Sequence, residues 1–163
     1  YISKSCRMAT ENQLSGRLEA EVKISQSADK YFTALGKTAY SLPEGLELLH
    51  SVELHEGDWD KDSAVKCWTF KTLEGDVETL VEKQEIDEAT KTITLVGIGG
   101  SVMNQYKKYV VTVGCIPDED NSSSVVRLIL DYELRNPGYL SPTKIMRVIT
   151  KCVEDTDGHI AKW

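Results

Sequence analysis

Ser141-Pro142-Thr143-Lys144-Ile145-Met146-Arg147-Val148-Ile149 opens the one long helical stretch in this sequence of 163 residues. The Ser141 hydroxyl can accept from backbone N–H groups of a first turn, and Pro142 stands where a missing N–H costs nothing. Ile145, Ile149, Cys152, Thr156, Ile160 and Trp163 then recur as a stripe opposite Lys144, Lys151, Glu154 and Asp155. Asn136-Pro137-Gly138 breaks the chain just before it.

Upstream, the elements are short. Residues 15–25 alternate, with Leu18, Ala20, Val22 and Ile24 on one face and Arg17, Glu19, Glu21 and Lys23 on the other, the period of a half-buried strand. A serine-containing entry, Asp29 and the stop Gly36 bracket a short helix, and a second spans about residues 38–42 before Pro43. Six strand-length runs follow, at 46–56, 64–72, 76–87, 92–98, 106–116 and 124–134, separated by turn residues such as Gly57-Asp58 and Gly99-Gly100. Short links between successive strands predict an antiparallel meander. An antiparallel sheet with one apolar face must cover it, so this α+β chain is expected to curl its sheet around the C-terminal helix.

The size fits one domain able to bury a core without disulfides or a structural metal. A composition of 28% charged and 40% hydrophobic residues is that of a globular chain, and no apolar run approaches the roughly 20 residues of a membrane span. A net charge of -7, with basic residues interleaved among acids, argues against nucleic acid as a partner and gives no sign of membrane insertion. Cys6, Cys67, Cys115 and Cys152 are widely spaced, with no histidine at zinc-ligand intervals, which predicts free thiols, no metal and a reducing, cytoplasmic setting. Met8-Ala9-Thr10 reads as a natural start, so residues 1–7 are expected to be an appended leader; residues 1–13 are set apart from a domain over 14–163.

His50-Ser51-Val52-Glu53-Leu54-His55-Glu56-Gly57-Asp58-Trp59, followed by Ser63-Ala64-Val65-Lys66-Cys67-Trp68, resembles the signature of the plant major latex proteins, within the larger birch-pollen-allergen fold. Ser27-Ala28-Asp29-Lys30-Tyr31-Phe32, Asp131-Tyr132-Glu133 and the run Ile149 to Ile160 resemble that family's first-helix, last-strand and C-terminal-helix motifs. The resemblance implies a helix-grip fold: a seven-stranded antiparallel sheet curved around a long C-terminal helix, two short helices after the first strand, and an internal hydrophobic cavity. It further implies a ligand among plant terpenoids, steroids, hormones, flavonoids or alkaloids. Some relatives are enzymes that cyclise or isomerise reactive intermediates.

Two segments depart from the family pattern. The glycine-rich turn after the second strand reads Gly57-Asp58-Trp59-Asp60-Lys61-Asp62, whose acids disfavour anion cradling. An acidic turn is replaced by Gly97-Ile98-Gly99-Gly100-Ser101-Val102, small residues expected to leave room and to lead into a strand rather than a nucleotide-binding helix.

Alternation places Lys66, Trp68 and Phe70; Ile93, Leu95 and Gly97; Tyr109, Val111 and Val113; and Val126, Leu128, Leu130 and Tyr132 on the concave face, with Ile145, Ile149 and Cys152 from the helix. Each is either packing core or ligand lining. The resemblance favours Trp68, Phe70, Leu95, Tyr109, Val111, Val113, Leu128, Leu130, Tyr132, Ile145 and Ile149 as ligand-binding. Lys66 is the candidate catalytic residue, since a desolvated amine can act as base or nucleophile, although such a lysine can also snorkel to the rim. His50 and His55, five apart on a strand, are expected to face opposite ways and so not to pair on a metal. Glu82 and Glu85 read as solvated strand positions, and His159 as a helix-end residue favourable to the dipole. No Ser-His-Asp or Cys-His set assembles. The reading is a carrier or sensor of a small hydrophobic molecule, needing no cofactor. The alternative is a cyclase or isomerase acting by conformational templating in the same cavity. A third class regulates a protein partner through an exposed loop.

Overall fold

Alternating apolar residues at 15–24 form β1 (Ser15–Ile24), which lies antiparallel to the last strand, β7 (Ser124–Leu134), in register from Ser15 against Glu133 to Ile24 against Ser124. The computed structural model describes residues 14–136, 138 and 140–163; the expected leader, Met8 and Cys6 lie outside the described residues. Between those two strands run α1 (Ala28–Gly36), a 3₁₀ turn (Ala39–Glu44), β2 (Leu49–Glu56), β3 (Val65–Lys71), β4 (Val77–Asp87), β5 (Thr92–Gly99), a second 3₁₀ turn (Ser101–Asn104) and β6 (Tyr106–Pro117). The seven strands form one antiparallel sheet in the order β1-β7-β6-β5-β4-β3-β2. The meander continues through β7, and β1 closes beside it.

The long helix α2 (Pro142–Ile160) begins where its sequence signals place it. The Ser141 hydroxyl accepts from Lys144 N, and Ile145, Met146, Val148, Val153, Thr156 and Ile160 are buried. Helix α1 is capped likewise, the Ser27 hydroxyl accepting from Lys30 N. Sheet and α2 share one core that includes Leu18, Val111, Val113, Leu128, Ile145 and Met146.

Several expectations shift. The second helix is the 3₁₀ turn 39–44, which takes in Pro43 instead of ending before it, because a single tight turn leaves proline few bonds to break. Leu46 N still donates to Leu42 O, so β2 starts at Leu49 and not at 46. His50 and His55 are both exposed: register shifts at Leu49/Ser51 and Leu54/Glu56 interrupt simple alternation. The glycine-rich stretch leads first into the 3₁₀ turn Ser101–Asn104, and Gly100 takes φ 87°, a conformation glycine adopts freely. Trp163 falls beyond α2, 52% exposed, with its ring edge-on to His159 at 6.1 Å. It does not extend the buried stripe.

Candidate functional site

Between sheet and helix lies a cavity of about 130 Å³. Its walls are Trp68 and Phe70 from β3, Leu80 and Glu82 from β4, Leu95 from β5, Tyr109, Val111 and Val113 from β6, and Leu128 from β7. Ile145, Val148, Ile149, Cys152, Val153 and Thr156 of α2 form the opposite side. Tyr31 and Leu35 of α1 close one end with Leu42, Leu46 and Leu49. A close-packed interior would not retain this much space, because an apolar void of that size costs about 3 kcal/mol at about 24 cal/mol per Å³.

Of the residues expected to be ligand-binding, Trp68, Phe70, Leu95, Tyr109, Val111, Val113, Leu128, Ile145 and Ile149 line this space. Leu130 and Tyr132 do not. Leu130 stands opposite Leu18 in the β1–β7 pairing, both fully buried. The Tyr132 ring lies so close over Gly16 that a Cβ there would meet its hydroxyl at 2.8 Å. This end of the sheet is close-packed core, closed further by the Tyr106 hydroxyl donating to Leu140 O at 2.8 Å. Ile93 and Val126 are buried outside the cavity as well, Ile93 packing where Gly36 lacks a side chain. The room expected at Gly97 is filled, since a Cβ there would meet Met103 Sδ at 2.8 Å and Tyr109 Cβ at 3.1 Å.

Lys66 is on the inner face and only 1% exposed, so it does not reach the rim, yet it stands beside the cavity and does not line it. Its ammonium donates to Gln84 Oε1 at 2.8 Å and sits 5.4 Å from the centre of the Trp59 ring. Gln84 in turn donates through Nε2 to the carbonyls of Gly36, Trp59 and Lys61. One amide thus fixes the lysine, the end of α1 and the loop after β2. Burial lowers the Lys66 pKa to about 8, against the raising influence of Glu82 and Asp60.

Glu82 overturns the reading that paired it with Glu85 as solvated. Glu85 is exposed, but Glu82 faces the cavity and is 5% exposed. Three apart on a strand, the two must point to opposite sides. The signal was available in the parity of β4, where Glu78, Leu80, Glu82 and Gln84 share the inner face while Val77 is 59% exposed. Burial drives the Glu82 pKa up to about 8, with Lys66 the opposing influence. The carboxyl makes no hydrogen bond to a described residue, nor do the cavity-facing hydroxyls of Tyr31 and Tyr109, whose pKa values burial raises well above the usual phenol range. Trp68 Nε1 is buried without an acceptor among the described residues. Cys115 and Cys152, unpaired like Cys67, are pushed up by burial to about 12, which makes them inert thiols.

A curved antiparallel sheet gripping one helix around an apolar space is the helix-grip architecture, a ligand-binding class of fold. The chain belongs to the pathogenesis-related protein Bet v 1 family, whose profile matches residues 13–163. MLP-like protein 328 of Arabidopsis thaliana is 28% identical over 149 residues, covering 91% of this chain and 97% of the relative. Major latex protein 149 of Papaver somniferum is 30% identical over 148 residues, covering 90% and 92%. The crystal structure of ginseng major latex-like protein 151 from Panax ginseng superposes with a TM-score of 0.81 at 24% identity, covering 90% of this chain and 97% of that one. The family is one whose fold takes up small hydrophobic ligands.

Proposed function

We propose that the protein binds a small hydrophobic plant metabolite inside the cavity, as a carrier or sensor. The carrying observation is an apolar space between sheet and helix, at whose wall Trp68 Nε1 is buried with no acceptor among the described residues. Such groups cost free energy when buried alone, and a ligand supplies what they lack. Size narrows the class. Drug-sized ligands occupy pockets of about 300–1,000 Å³, whereas an apolar cavity of about 150 Å³ holds benzene. A space of about 130 Å³ therefore favours a compact single-ring molecule over the larger terpenoids, steroids and alkaloids. The proposed setting is the cytoplasm, where Cys67, Cys115 and Cys152 stay reduced. Among the described residues no helix is long and apolar enough to cross a membrane.

A second reading, favoured by the buried Glu82 acid, is a cyclase or isomerase that folds a reactive terpenoid or alkaloid intermediate in the same cavity. Lys66 serves in that reading as a positioning charge behind Glu82 rather than as the group in contact with substrate. Recovering the protein from its own tissue and identifying the bound molecule by mass spectrometry separates the two. A carrier yields a stoichiometric, unchanged metabolite. An enzyme converts an added intermediate to a single product, and recovery of empty protein that binds no small apolar molecule contradicts both.

A further inference from the structure

Three polar residues occupy neighbouring positions on the cavity wall. Lys66 stands opposite Glu82 and Trp68 opposite Leu80 in the β3–β4 pairing, which makes Trp68 and Glu82 diagonal neighbours on the inner face. Glu82 stands opposite Gly97 in the β4–β5 pairing, and the bare Gly97 is covered by Tyr109, whose Cβ and ring lie 3.1 Å from where a Gly97 Cβ would be. Strands β3, β4 and β6 thus each bring one polar group to the same apolar lining. We propose that Trp68 Nε1–H, the Glu82 carboxyl and the Tyr109 hydroxyl form an anchor for a carbonyl oxygen, so that the ligand is a small neutral ketone or aldehyde on an alicyclic skeleton. This inference rests on the cavity-binding reading and names the chemistry of its ligand.

The donor inventory decides the class. An indole N–H only donates, so the ligand must present an acceptor to Trp68. A carboxyl kept neutral by its surroundings donates through its O–H, and burial holds Glu82 in that form at neutral pH. A phenol can donate as well. Donors on neighbouring wall positions suit the two lone pairs of a carbonyl oxygen, and Trp68, which can only donate, is left unsatisfied by any ligand group that lacks an acceptor. A cationic ligand is disfavoured because the Lys66 ammonium, held by Gln84 and Trp59, already places positive charge beside Glu82. The rest of the lining is hydrocarbon and suits the ring.

The experiment uses three probes of one shape: cyclohexanone, methylenecyclohexane and cyclohexylammonium, titrated by NMR into the wild-type protein, Glu82→Leu and Trp68→Phe. Both variants keep an apolar core residue in place, and Trp68→Phe keeps the aromatic wall. In wild-type protein the ketone and the hydrocarbon both bind, and the infrared carbonyl stretch of bound ketone is lowered relative to its value in hydrocarbon solvent. In each variant the ketone weakens about tenfold and its stretch moves back up, while the hydrocarbon binds as before or tighter. If the hydrocarbon binds but the ketone is indifferent to both substitutions, the anchor is wrong and the cavity stands. If the ammonium binds most tightly, the neutral-acceptor chemistry is wrong. If none of the probes binds, the cavity reading itself fails.

Discussion

Glu82 keeps its proton at neutral pH because an apolar wall cannot solvate its charge, and stability follows from that. Between the ordinary carboxyl value of 4.5 and about 8, the native state holds a proton that the unfolded chain has lost. Stability present at about pH 5 is therefore lost as pH rises toward 8, by at most about 1.4 kcal/mol per pH unit. Lys66 acts in the opposite sense: lowered from 10.5 to about 8, it leaves the unfolded chain with the extra proton in that range, so stability recovers above 8. Melting temperatures across this range should show a minimum near pH 8, and Glu82→Gln should remove the fall on the acid side; an unchanged profile in that variant contradicts the assignment. Gly45 offers a second test. A Cβ there would overlap the ring and the Cβ of His159, so Gly45→Ala should destabilise by about 1–3 kcal/mol in chemical denaturation, with His159→Ala recovering only the part due to the ring because it keeps the Cβ.

At the scale of elements, most strands were legible because one residue in two is apolar and the turns between them carry glycine, asparagine or aspartate. Strand β7 runs over the expected 124–134. The inner face of β4 is legible from parity but not from hydrophobicity, because Glu78, Glu82 and Gln84 point inward with Leu80 while Val77 faces water, an inversion that hydrophobicity alone reads backwards. What α2 does at its far end was hidden, since it depends on pairs distant in sequence. The Asp157 carboxylate accepts from Ser25 N, the Ser25 hydroxyl and Gln26 N, and Asp155 accepts from Glu47 N. Two acids near the end of the helix thereby pin the segments that lead into α1 and β2, which frame one end of the cavity. Asp157→Ala should cost about 1–2 kcal/mol and speed amide exchange at Ser25 and Gln26. Ser141→Ala, which removes the cap at the other end of α2, should cost about 1 kcal/mol in denaturant titration without altering exchange at those two amides.

Over the whole molecule, the sequence patterns and the resemblance led to the sheet, the helix and their contact, but not to how far the two stand apart. Leu128 and Leu130 share a face of β7, yet one lines open space and the other is packed against β1. Curvature and the tight Tyr106–Leu140 closure make that difference, and neither is written in local periodicity. Ligand uptake requires the space to be reached from solvent in the native state. The most direct test is a titration of the folded protein with methylenecyclohexane, followed by the methyl resonances of Leu95, Val111, Val113, Leu128 and Ile145. Saturation at one equivalent, with shifts confined to these methyls and reduced by the cavity-filling Val111→Phe, is the predicted result. Shifts that arise only in denaturant, or that fall on the exposed Val77 and Ile98 instead, would contradict it.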